Sequence, residues 1–189
     1  MSNVLTDKQG QVLLELARKT LQYKMGEGTA PAPPEDPALS MPAATFVTLK
    51  IAGQLRGCIG NLEPAGPLWQ GIRDNAINAA FNDYRFSPLR PEELPAVHVD
   101  ISILSQPEFL AYRDPEELLL KLRPGVDGVI LRDGRRSATF LPQVWQQLAA
   151  TEQFLEHLCQ KAGLPGDVWR QKKLEIYTYQ VQCFEEEKK

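Results

Sequence analysis

Apolar residues recur at helical spacing almost from the start of the chain, at Val12, Leu13, Leu16, Ala17 and Leu21. Thr6 with Gln9 three positions on is a capping-box signature, so the pattern predicts a helix over residues 6–25. Residues 26–42 then lose all periodicity and hold five prolines, at 31, 33, 34, 37 and 42. They read as an extended, semi-rigid arm, or as a plain connector. Alternation returns over residues 44–51 and again over 55–60, with Ala52-Gly53-Gln54 between them as the turn of a hairpin. Gly66-Pro67 opens a second helix with proline at its first position. Its stripe is Trp69, Ile72, Ala76, Ala79 and Ala80, interrupted by Arg73. Residues 82–88 (Asn-Asp-Tyr-Arg-Phe-Ser-Pro) form a loop rich in turn formers. Pro95 precedes a strand over 96–104 that buries Val97, Val99, Ile101 and Ile103.

The second half repeats the theme with shorter pieces. A helix is predicted over 114–122, and strands over 128–132 and 135–140 flank Asp133-Gly134, a strong hairpin signal. Leu141-Pro142 begins a helical stretch that resumes at Thr151 and stops at Gly163, a C-terminal cap. A last strand over 174–184 places Tyr177, Tyr179, Val181 and Cys183 on one face. Hairpins outnumber strand-helix-strand units, so the fold class is α+β with a largely antiparallel sheet flanked by helices. A length of 189 residues suits a single domain over 1–189, a larger part with a minor lobe beside it.

Charge and composition narrow the function classes. A net charge of −3 leaves no electrostatic footprint for nucleic acid or an anionic membrane. No apolar run is long enough to span a bilayer, and the first ten residues lack the basic and apolar regions of a secretory signal, so a cytoplasmic protein is expected. Three widely spaced cysteines fit reduced thiols better than a disulfide framework. Two histidines and no C-x-x-C motif give no metal spacing, so neither a metal nor a cofactor is expected.

The segment Leu55-Arg56-Gly57-Cys58-Ile59-Gly60 carries the most chemistry. Strand alternation puts Arg56, Cys58 and Gly60 on one face, where a guanidinium can favour the thiolate of Cys58. Two glycines in six residues signal a bulge or the close approach of another backbone. The bland alternative is a core strand with Cys58 as a small buried hydrophobe. Arg73, Asn75, Asp83 and Arg85 follow within a short span and, with Arg56, can line a polar cleft for an anionic or peptide-like ligand. They can equally form an ion-pair network that holds the loop, Asp83 with Arg73 or Arg85. His98, Asp100 and Ser102 share a strand face but lie too far apart along it for a catalytic triad, and read as a solvated face. Cys159 and Cys183 read as core residues.

These motifs resemble the AMMECR domain family, whose bacterial and archaeal members are called protein A of the AmmeMemoRadiSam system. The likeness rests on Phe46-Val47-Thr48-Leu49, the six residues from Leu55 to Gly60, Asn75-Ala76 with Ala79-Ala80, and Asp83-Tyr84-Arg85-Phe86-Ser87-Pro88. It continues through Glu93-Leu94, Ile101-Ser102-Ile103-Leu104-Ser105, Asp127-Gly128-Val129, Ala138-Thr139-Phe140-Leu141-Pro142-Gln143-Val144-Trp145, Lys161-Ala162-Gly163-Leu164 and Tyr177-Thr178-Tyr179. The resemblance implies a larger part built on an antiparallel sheet with a smaller lobe packed beside it. It also implies a site near the central motif, and Memo-like and radical SAM proteins as partners.

Two functions follow. One is an enzyme or enzyme subunit in which Cys58 acts as nucleophile or thiol acid/base, Arg56 favours its thiolate, and backbone amides near Gly57 and Gly60 hold an oxyanion or carboxylate. No base is assigned, and His157 is only a guess. The other is a non-catalytic adaptor that binds a peptide or protein partner, with Cys58 structural and residues 26–42 a docking element.

Overall fold

The computed structural model describes residues 4–187. Residues 1–3 and 188–189 lie outside them. The fold is α+β, and the chain divides into two units, one formed by the described residues up to Ser105 together with those from Gln182 on, the other by Gln106–Val181.

The first unit begins with α1 (Asp7–Lys24), whose capping box is formed as the sequence predicts: Thr6 Oγ1 accepts from the Gln9 amide and the Gln9 side chain accepts from the Thr6 amide. β1 (Ala44–Ile51), β2 (Gln54–Gly60), α2 (Leu68–Phe81) and β3 (Val97–Leu104) follow, and β8 (Val181–Glu185) completes a sheet of order β2-β1-β3-β8. β1 pairs antiparallel with both β2 and β3. Val47 and Leu49, with Val97, Val99, Ile101 and Ile103, pack against the apolar stripes of both helices and form the core of this unit. Between β1 and β2, Ala52 and Gly53 both take positive φ, as a two-residue type I′ loop requires.

The second unit holds β4 (Glu108–Phe109), α3 (Pro115–Lys121), β5 (Gly128–Asp133), β6 (Arg136–Phe140), α4 (Thr151–Lys161), α5 (Val168–Gln171) and β7 (Glu175–Tyr179). Its strands pair antiparallel in the order β4-β7-β5-β6. Its own core centres on Trp145 stacked on Phe154, 3.7 Å between ring centroids, with Leu131, Ile176 and Trp169 around them. Gly163, at φ +73, ends α4 in a Schellman motif: its amide donates to Gln160 and the Leu164 amide to Cys159.

The structure corrects several expectations. The single last strand is two, β7 and β8, belonging to different sheets and separated at Gln180. The residues alternate well enough for one strand, but alternation records only faces, not the sheet joined. Cys183 therefore falls outside the apolar core and is exposed, while Cys159 is buried as expected. The proline-rich arm is not wholly irregular. Pro37–Ser40 make a 3-10 turn capped by Asp36, whose carboxylate also accepts from Gln9 Nε2, and Leu39 is fully buried. Arg73 lies off the buried stripe of α2, where Asn75 takes a buried place instead. In the second hairpin the loop residues are Gly134 and Arg135, since Asp133 pairs with Arg136.

Candidate functional site

β2 is an edge strand, and the motif's residues are held from three directions. Beneath it α2 runs so close that a Cβ at Gly57 would lie 2.1 Å from the Ala79 carbonyl oxygen. At Gly60 a Cβ would lie 2.3 Å from both the Phe46 ring and the Thr45 carbonyl oxygen. Both glycines thus serve the close approach that the sequence suggested, and the expected bulge is there too: Leu49 faces Gly57 and Lys50 faces Leu55, leaving Arg56 as the extra residue beside Gly57.

The outward edge of β2 is capped by the loop that follows α2. Asp83, nearly fully buried, accepts from the Cys58 amide at 2.9 Å, and Arg85 donates to the Cys58 carbonyl at 3.1 Å. Arg85 also clasps Asp83 through two nitrogens, at 2.9 and 2.7 Å. That guanidinium, with help from the Cys58 amide, holds the Asp83 carboxyl well below the usual carboxylate range despite its burial. Cys58 thus uses both backbone groups to anchor a loop, so its own amide is not open to a ligand.

Arg56 does not turn to the thiol. It makes a two-nitrogen ion pair with Glu93, at 2.9 and 3.1 Å, and donates to the Ser87 and Pro88 carbonyls. Arg56 and the Arg90 amide together pull the Glu93 pKa down to about 2. Asn75 is a buried tie between α2 and β1, its amide nitrogen donating to Thr45 and Asn61. Arg73 pairs with its neighbour Asp74 and lies over the Trp69 ring. The polar cluster expected from the sequence is therefore not one cleft. Arg56 and the Asp83–Arg85 pair brace the Cys58 strand; Asn75 is buried below it, and Arg73 stands apart.

The sulfur of Cys58 has a different environment. It is half-buried, and its hydrogen-bond partner is the Thr48 hydroxyl, which donates to Sγ at 3.2 Å. Thr48 stands opposite Cys58 on one side and opposite Asp100 on the other, so the three form one cross-strand row. Arg85 is close enough to feel a charge on the thiol. The same sheet face carries Lys50, His98, Ser102 and Cys183.

Here the sequence reading of His98 and Asp100 needs correction. Asp100 is buried, it pairs with Lys50, and His98 Nε2 lies 3.3 Å from its Oδ1. Long side chains lean along the strand and close a gap that backbone spacing suggests is open. No catalytic triad results, because Ser102 contacts Cys183 instead.

A family model of the AMMECR1 domain matches residues 14–184. The chain belongs to the AMMECR1 family. The Methanopyrus kandleri protein MK0488 is 39% identical over 99% of this chain and 93% of its own length. A Thermococcus gammatolerans protein is 40% identical over 97% and 93%. The crystal structure of the uncharacterized Pyrococcus horikoshii protein PH0010 superposes with a TM-score of 0.82 at 36% identity, covering 97% of this chain and 94% of that one. Within this AMMECR1 fold, sequence reasoning missed two partners of the central motif, Thr48 and Glu93. Strand pairing would have exposed Thr48; Glu93 stands among the resembling motifs, but only the fold brings it to Arg56, 37 residues away.

Proposed function

We propose that this AMMECR1-family protein is a subunit of a modifying system and that the Cys58 thiol is its nucleophile, acting on an electrophilic carbon of an anionic or peptide-like ligand. One observation supports this reading most. Arg56, Gly57, Gly60 and the backbone of Cys58 each have a fold-holding role, whereas the half-exposed sulfur holds nothing but the Thr48 hydroxyl. The Thr48 hydroxyl donates to that sulfur, and the Arg85 guanidinium is bonded to the carbonyl of the same residue. Arg85, 43% exposed at its side chain, replaces Arg56 as the cation that meets an anionic group. Memo-like and radical SAM proteins are the partners that fit this reading, with the cytoplasm as its setting; no helix among the described residues is long and apolar enough to cross a membrane.

Alkylation tests it. Cys159 is sealed in the core, where burial pushes its thiol up to about 11, so it does not compete. Exposed Cys183 does, and is replaced by serine. In that background iodoacetamide should modify Cys58 faster than a free cysteine below about pH 7, and Thr48→Val should slow it. A rate no faster than that of free cysteine would remove the thiol from the chemistry.

A second reading, the adaptor, draws on Tyr84. This ring is 94% exposed while its neighbours Asp83 and Arg85 are pinned to β2, so an aromatic is presented on a rigid support. Under this reading Tyr84→Ala abolishes co-purification with a Memo-like partner and Cys58→Ser does not.

A further inference from the structure

On the same sheet face as Cys58, toward the β8 edge, β3 and β8 bring three ligating groups together. A ring nitrogen of His98, an Asp100 carboxylate oxygen and a Glu185 carboxylate oxygen all lie within 4.8 Å of one another. Asp100 is the informative member. It is only 9% exposed, and its Oδ1 is buried without a hydrogen-bond partner among the described residues. The His98 Nε2 atom facing it, 3.3 Å away, is likewise buried and unpartnered. A buried carboxylate oxygen without a hydrogen bond is costly unless something positive lies beside it. Lys50 does not serve, because it is committed to the other oxygen, Oδ2.

The spacing is that of a coordination edge. Two donors each about 2.0–2.1 Å from one tetrahedral ion stand roughly 3.3 Å apart. The charge agrees: the cluster sets two carboxylates, of Asp100 and Glu185, against the one ammonium of Lys50. Lys50 on Oδ2 also has the place of an outer-sphere partner that orients a ligating carboxylate. An open groove of about 1050 Å³ reaches the cluster from the surface of α1, lined by Glu15, Arg18, Lys50, His98 and Glu185 among others. It provides entry for an ion and room for a water or ligand at positions the protein leaves open.

We propose that His98, Asp100 and Glu185 form a binding site for a divalent transition-metal ion, open to this groove. One imidazole and two carboxylates suit zinc, manganese or ferrous iron; the imidazole disfavours calcium and magnesium, and the absence of thiolate from the set disfavours copper(I). The site is independent of the Cys58 chemistry, so either can fail without the other.

Zinc is the probe. The full chain carrying Cys58→Ser and Cys183→Ser, which removes the accessible thiols, is stripped with a chelator and titrated calorimetrically. One zinc should bind, and His98→Gln should weaken it by more than roughly 10-fold, the least that losing even an outer-sphere partner costs. Asp100→Asn should do the same where circular dichroism shows it folded. If it does not fold, His98→Gln, a half-exposed position, decides alone. Absence of zinc binding to the double-serine protein overturns the proposal. So does binding that His98→Gln leaves unchanged, which marks adventitious surface attachment.

Discussion

Glu93 illustrates how a residue distant in sequence can govern the central motif. Its carboxylate takes both Arg56 nitrogens and the Arg90 amide, and this holds its pKa at about 2 against an ordinary 4.5. A carboxyl whose folded pKa is depressed binds fewer protons folded than unfolded near that range, so its stabilisation is whole above pH 4.5. That stabilisation drains away as the pH falls from there through about 2. Glu93→Gln should therefore cost roughly 1–2 kcal/mol at neutral pH, the worth of charge-assisted hydrogen bonds at a partly exposed site. Urea unfolding of both proteins at a series of pH values checks this. The gap should stay constant down to about pH 4.5 and narrow toward pH 2; a gap that ignores pH would refute the ion pair's role. At this scale the sequence anticipated the close approach at Gly57 and Gly60, because a missing side chain is a local property. It misdirected Arg56, because the choice between a thiol and Glu93 depends on a loop folded back over the strand.

Elements meet through small residues. The approach of α2 to β2 depends on Gly57, and that of β8 to α1 on Gly10, where a Cβ would sit 2.1 Å from the Phe184 ring. A glycine inside a helix weakens it by about 1 kcal/mol relative to alanine, so Gly10 trades helix propensity for strand docking. Gly57→Ala must push two backbones apart, since the obstacle is a carbonyl rather than a movable side chain. We expect a loss of about 2–3 kcal/mol or more, a fall in Tm on the order of 5–10 °C. Gly66→Ala is the control: its Cβ would meet nothing nearer than Gln70 Oε1 at 3.9 Å, and Tm should hold. Equal melting temperatures for the two variants would show that the helix does not rest on the strand as described.

For the whole molecule, the informative fact is the passage of the chain from β7 to β8. Residues 106–181 form one unit, but the first is discontinuous and closes only when the chain returns. The returning segment ties firmly into it. Gln182 exchanges two bonds with the Leu5 backbone, Glu186 takes Arg18 through two nitrogens, and Phe184 lies on Gly10. Deleting residues 181–189 should therefore loosen the first unit and spare the second. Hydrogen exchange distinguishes them: amides of β1 and β3 should lose protection while those of β5 retain it. Loss of protection in β5 alone would contradict the division.

The sequence alone determined the membership, the α+β class, most of the elements and their caps, and the cysteine strand with its close-packed glycines. The membership rests on motif resemblance; the rest follow from periodicity, capping chemistry or turn geometry over a few residues, forces that act before distant parts of the chain meet. Only the tertiary structure decided that residues 174–184 serve two sheets, that Arg56 answers to Glu93, that the Asp83–Arg85 pair clasps the backbone of Cys58, and that His98 and Asp100 converge beside Glu185. Those outcomes rest on pairings between residues 25 to 87 positions apart or on side chains leaning across a sheet face. Local pattern assigns a residue its face, and only the folded chain assigns its neighbour.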